Sequence, residues 1–131
     1  MRVRKIKATA PVYSGDMGPP PTDMVGVALE TWNDVTRELT AAGVVLTKLD
    51  RRNMINLAMA AQHGHDAQLD IEQNGLKAIT ERGEVKNGSF TIQTTAALTY
   101  LRISAAYGLT PASRNKVTVV QKAATNPFAE L

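Results

Sequence analysis

The side chains that could do covalent or metal chemistry are few, and their spacing argues against it. His63 and His65 flank a glycine in "HGHD". On a helix, residues two apart project about 200° from each other, so these imidazoles cannot close on one ion. No Asp or Glu stands four residues from either one, and the pair reads as surface or interface histidines. "GEVKNGS", residues 83–89, has the glycine spacing of a phosphate loop. It lacks the lysine after the second glycine, and no apolar strand precedes it. There is no cysteine, which excludes disulfides, thiolate nucleophiles and cysteine-based zinc sites and suits a reducing cytoplasm. No nucleophile stands with a base, and no carboxylate pair sits in an apolar setting. The expectation is a protein without catalytic activity, metal or cofactor.

Binding chemistry is better represented. The net charge is only +3, but it is unevenly spread. Arg2, Arg4, Lys5 and Lys7 stand in the first 15 residues with no acid among them. Residues 16–85 are acidic on balance, and residues 86–131 are basic again, with Lys86, Arg102, Arg114, Lys116 and Lys122 against Glu130. Two basic ends around an acidic middle suit contacts with a polyanion, and clustered cations on a mobile arm suit sequence-independent phosphate contact. A solvated tail is the plainer reading. Arg51 and Arg52, in "DRRN", fall in the first turn of a helix, where cations oppose the helix dipole. They are candidates for phosphate, or for ion pairs with Asp34 or Glu38. In "AAYGLTPASRNKV", residues 105–117, one helix closes at Gly108 and another opens at Thr110-Pro111. Arg114 and Lys116 lie in its first turns. The layout fits a helix-turn-helix that meets DNA, or a structural corner.

The elements that position these residues follow from apolar spacing. Residues 1–22, with "GPPPT", read as a flexible basic arm ending in a stiff proline joint. A first helix is predicted over 23–42, capped by Thr22 or Asp23, with Ala28, Trp32, Val35, Leu39 and Ala42 on one seam and Gly43 as its stop. Trp32 reads as a core anchor. A second helix begins at "TKLD", where Thr47 and Asp50 make a capping-box variant, and runs to Asn74. Its seam of Leu57, Ala60, Gly64, Ala67 and Ile71 is mostly small, which suits close approach by a partner helix of a hairpin or by another subunit. Residues 75–90 read as a loop with a short hairpin around "KNG". A third helix over 91–107 carries Ala97, Leu98, Leu101 and Ala105 on one face. A short fourth helix covers 111–123, and "ATNPFAEL" remains as a tail. No apolar run approaches the roughly 18 residues needed to cross a bilayer. The basic start, with no apolar stretch after it, does not read as a secretory signal.

The predicted fold class is therefore all-α: an antiparallel hairpin of two longer helices plus a shorter helical pair. The domain plan is an arm at 1–22, a helical domain at 23–123 and a tail at 124–131. The chain has 131 residues, of which 5% are aromatic. A core so rich in alanine gains little from burial per residue, so self-association is expected to complete it.

Read in order, "ETWNDVTRELTAAGVVLTKLD", "IEQNGL", "ITERGEV" and "YGLTPASRNKV" make a layout that resembles the small terminase subunits of tailed bacteriophages. "GLTPASR" is the most specific piece. The Asn-Pro that members usually place before the third helix is replaced here by "FTIQ", and the only Asn-Pro is Asn126-Pro127. The resemblance implies a non-enzymatic protein that forms a ring, of roughly 8–12 subunits, and recognises double-stranded viral DNA. It also implies regulation of the large terminase subunit, which carries the ATPase and nuclease. The closing "NPFAEL" then offers Phe128 and Leu131 as a docking peptide for that large subunit, or else a frayed end. A small helix-turn-helix transcription regulator is the alternative.

Overall fold

The structure, a computed structural model, describes residues 15–114. Three helices make its frame: α1 (Gly26–Ala41), α2 (Arg51–Asn74) and α3 (Gly88–Ala106). A 3-10 turn, Lys48–Asp50, leads into α2. α2 is the central element, and both α1 and α3 pack on it. Met54, Leu57 and Ala58 of α2 join Ala28, Trp32 and Leu39 of α1 in one buried cluster.

Two helix ends close in the same way. Gly43 takes φ 83°, and beyond it the Val44 N–H reaches back 2.9 Å to the Leu39 carbonyl. Gly108 takes φ 70°, and the Leu109 N–H reaches 2.9 Å to Ser104. Both are Schellman closures, which satisfy carbonyls that the helix leaves unpaired and fold an apolar residue back over the last turn. Only glycine enters that left-handed conformation without a steric cost. The start of α2 is set by Asp50. Its carboxylate accepts from the Thr47 N–H at 2.8 Å and from the Thr47 hydroxyl at 3.2 Å.

The start of α1 differs from expectation. Neither Thr22 nor Asp23 caps it; the N-cap position is Val25, which has no side-chain oxygen to offer. An N–H in the first turn is satisfied from across the interface instead. The Ala28 N–H donates to Gln62 Oε1 of α2 at 3.0 Å.

The all-α class needs correction. Between α2 and α3 stands a two-stranded antiparallel sheet, β1 (Lys77–Thr80) and β2 (Gly83–Lys86), paired Lys77 to Lys86 through Thr80 to Gly83. Its turn is at Glu81-Arg82, upstream of the expected "KNG". Neither turn residue has a positive φ, and Gly83 at 108° supplies the left-handed step. Asn87 caps α3 instead, accepting from the Ser89 N–H at 3.0 Å. The expected shorter helical pair changes as well. α3 has 19 residues, and after it only a hydrogen-bonded turn at 110–114 is described, so most of the fourth helix lies outside the described residues.

Residues 15–22, assigned to the flexible arm, pack against the helices. Asp16 bridges to Thr47 as an isolated antiparallel pair, and Met17 is buried in the core cluster. The Arg51 guanidinium fastens this strap, donating to the carbonyls of Met17 at 3.1 Å and Pro19 at 2.5 Å.

Candidate nucleic-acid interface

The beginning of α2 gathers segments that are far apart in sequence. The strap arrives there through the Asp16–Thr47 bridge. Lys48 and Arg52 are exposed beside it. The corner after α3 arrives through Tyr107, whose hydroxyl donates to Asp50 Oδ1 at 2.7 Å and accepts from Asn53 Nδ2 at 3.1 Å. Asp50 therefore joins two structures with one carboxylate, Oδ2 to the helix start and Oδ1 to the corner. Tyr107 is 9% exposed. Burial, with Asp50 beside it, pushes its hydroxyl pKa up to about 12.

Beyond Gly108 the corner is fixed locally. The Ser113 and Arg114 N–H groups both donate to the Thr110 carbonyl at 3.1 Å. Pro111 stands at the first position of this turn, where a missing N–H does no harm. Arg114 is exposed at its end. Lys48 and Arg52 thus stand exposed at this end, and Arg114 follows the corner; Arg2, Arg4, Lys5, Lys7 and Lys116 lie outside the described residues.

Arg51 departs from this group. Its guanidinium holds the strap and stands 5.6 Å from the centre of the Trp32 ring, a cation–π distance. Its role in the fold is structural. The ion pairs considered with α1 do not form either: Asp34 pairs with Arg37 at 3.0 Å, and Arg52 makes no ion pair among the described residues.

The small seam of α2 is covered within the chain. Leu57, Ala60 and Ala67 are buried, and Gly64 and Ile71 are half-buried. A Cβ on Gly64 would lie 3.6 Å from the Ala96 Cβ of α3, so the seam serves the close α2–α3 contact. His63 and His65 line different grooves, one with Asn56 and Thr91, the other with Thr31 and Tyr100. Among the described residues no cluster of three His, Asp or Glu could hold a metal, and no helix is long and apolar enough to cross a membrane. Phe128 and Leu131 lie outside the described residues.

Periodicity misplaced the free surface of α3. Its inward residues include Ala96, Ile103 and Ser104, whereas Leu98 is 49% and Leu101 54% exposed. Phe90 and Ile92 are exposed as well. The signal available in the sequence was charge rather than period. From Gly88 to Ala106 the one charged residue is Arg102, and a helix apolar nearly all round shows no single face.

At the far end of α2, Asp70 organises the junction with the sheet. Side-chain hydrogen bonds from Ser89, Asn87 and Asn74 hold its carboxyl below the usual range. Asn87 Nδ2 contacts Asp70 and the Gly75 carbonyl, each at 2.9 Å.

Among the described residues, three packed helices carry exposed cations at the start of α2. The family model for the phage terminase small subunit matches residues 28–124. The chain belongs to that family, which places it in phage DNA packaging. No curated protein and no solved structure matches it.

Proposed function

We propose that this protein binds double-stranded viral DNA through the basic end of α2, assembles with copies of itself into a ring, and regulates the large terminase subunit in the host cytoplasm. The observation that supports the DNA reading is that the strap, which follows the basic arm in sequence, and the corner, which precedes Arg114 and Lys116, meet at one turn. The Asp16–Thr47 bridge and the Tyr107–Asp50 hydrogen bond hold the strap and the corner against the same turn. Lys48 and Arg52, exposed beside that turn, are the first phosphate contacts of this reading, and Arg114, Lys116 and the cations of the first ten residues are offered as further ones. Assembly is supported by α3, whose outward Phe90, Ile92, Leu98 and Leu101 remain exposed in the single chain. The role is adaptor rather than enzyme, with Phe128 and Leu131 as the contact offered to the large subunit.

Fluorescence anisotropy with double-stranded DNA at 50 and 200 mM salt tests the binding. Affinity should fall steeply with salt, because each neutralised phosphate releases counterions. Arg52→Ala with Arg114→Ala should lower the log–log salt slope by about 2, and removing residues 1–10 should lower it further. A slope that both changes leave untouched removes this end from DNA recognition. Native mass should show a closed oligomer. A dimer on a two-half-site operator would instead fit the transcription-regulator alternative.

A further inference from the structure

We infer that the hairpin between α2 and α3 is an assembly element: the β1 edge of one copy pairs with the β2 edge of the next. This deepens the self-association proposed above and rests on it. All eight strand residues are exposed, Ile79 by 88% and the adjoining Leu76 by 56%. A lone two-stranded hairpin is at best marginally stable in water, and its open edges are templates for further strands.

Backbone parity shows which groups are free to pair. The Asn87 N–H donates to the Leu76 carbonyl at 2.7 Å, so 76 and 87 form a hydrogen-bonded pair. By alternation, 78 with 85 and 80 with 83 are bonded also, while the backbone groups of Lys77 and Ile79 on β1, and of Glu84 and Lys86 on β2, point away from the ladder. The two outward edges are complementary. Within one hairpin Lys77 and Glu84 already pair across the exposed face at 3.7 Å. A head-to-tail antiparallel register that sets Lys77 against Glu84 of the next copy continues that alternation of charge from hairpin to hairpin and also sets Leu76 against Val85. Slipping it by two residues, to the offset used inside the hairpin, would set Lys77 against Lys86. Opposite charges and apolar pairs directly across a ladder stabilise it, and like charges oppose it. The occupant that fits both edges is therefore a second copy of this chain. Because β1 meets β2 rather than itself, the contact repeats in one direction and can close a ring.

The absence of native cysteine makes the test direct. Lys77→Cys and Glu84→Cys variants, each with one thiol and with tags of different length, are co-expressed and mildly oxidised. Both positions are exposed, with side chains 70% and 64% accessible, so the fold should tolerate the changes. The mixed disulfide should dominate on a denaturing gel. Ile79→Pro, introduced into both, should abolish it, because proline removes an outward N–H and spares the internal ladder. Ile79→Ala should leave it in place. Mainly Lys77→Cys homodimers would mean two-fold β1–β1 pairing and would overturn the inference. An intact oligomer with no disulfide would overturn hairpin pairing while self-association stands. A monomer at high concentration would overturn both.

Discussion

Replacing Tyr107 with Phe removes one oxygen and nothing else from the corner. That oxygen donates to Asp50 at 2.7 Å and accepts from Asn53 at 3.1 Å, in a side chain only 9% exposed. A hydrogen bond to a charged group contributes about 1.5–3 kcal/mol. Asp50 keeps its Thr47 partners, and the exposed Asn53 can turn to water. The expected loss is therefore near the lower end, about 1.5–2 kcal/mol. For a domain of this size that is a drop of roughly 5–10 °C in Tm, read by thermal circular dichroism at pH 7. The pH dependence gives a second, independent check. The hydroxyl is raised from its ordinary value of 10.0 to about 12, so between those limits the folded state holds a proton that the unfolded state has released. Its contribution is fully present below pH 10 and is lost as pH rises towards 12, with an upper bound of about 2.7 kcal/mol from that shift. The stability gap between wild type and Tyr107→Phe should shrink across this window. A gap that is absent at neutral pH, or that does not change with pH, would refute the assignment of Tyr107 as the clasp between α3 and α2.

Arg51→Lys keeps the charge but loses the planar guanidinium whose Nη1 donates to both carbonyls. It should destabilise by about 1–2 kcal/mol in chemical denaturation while leaving the DNA salt slope unchanged. Gly64→Ala should be neutral or stabilising by up to about 1 kcal/mol, since the new methyl meets Ala96 at ordinary contact distance. Gly64→Leu should cost about 1–3 kcal/mol by wedging α2 from α3, seen as a lower denaturation midpoint. Gln62→Ala uncovers the Ala28 N–H and should cost about 1 kcal/mol. Asp70 has a depressed pKa, so its contribution holds above the ordinary carboxylate range and disappears as pH falls through the folded value. Protection factors of amides at the base of the hairpin, corrected for the intrinsic pH dependence of exchange, should fall on acidification in wild type but not in Asp70→Asn.

Local signals decided much of the frame. Gly43 and Gly108 end helices because only glycine fits the left-handed closure without a steric cost, and that demand is visible in the sequence itself. Thr47 and Asp50 mark the start of α2 for a similar reason, since their hydrogen bonds span only three residues. The family was readable because these punctuation marks come in a fixed order. The strand pair was legible only as a loop with glycines. Four-residue strands carry no long period, and "KNG" offered a turn that Asn87 instead uses to cap α3. The outward stripe of α3 was hidden because almost every position on that helix is apolar.

Other features depended on which residues the packing brought together. No local pattern says that Gln62 caps α1 from 34 residues away, or that Arg51 holds the strap. Asp50 and Tyr107 each have an obvious local role, one in a helix cap and one at a helix end, yet their contact joins positions 57 apart. The sequence by itself determined where helices stop and that its charge lies at its ends, because those properties reside in single residues and their near neighbours. Only the tertiary structure decided that the strap and the corner meet on one turn of α2, because antiparallel packing of α3 on α2 brings distant segments to the same end.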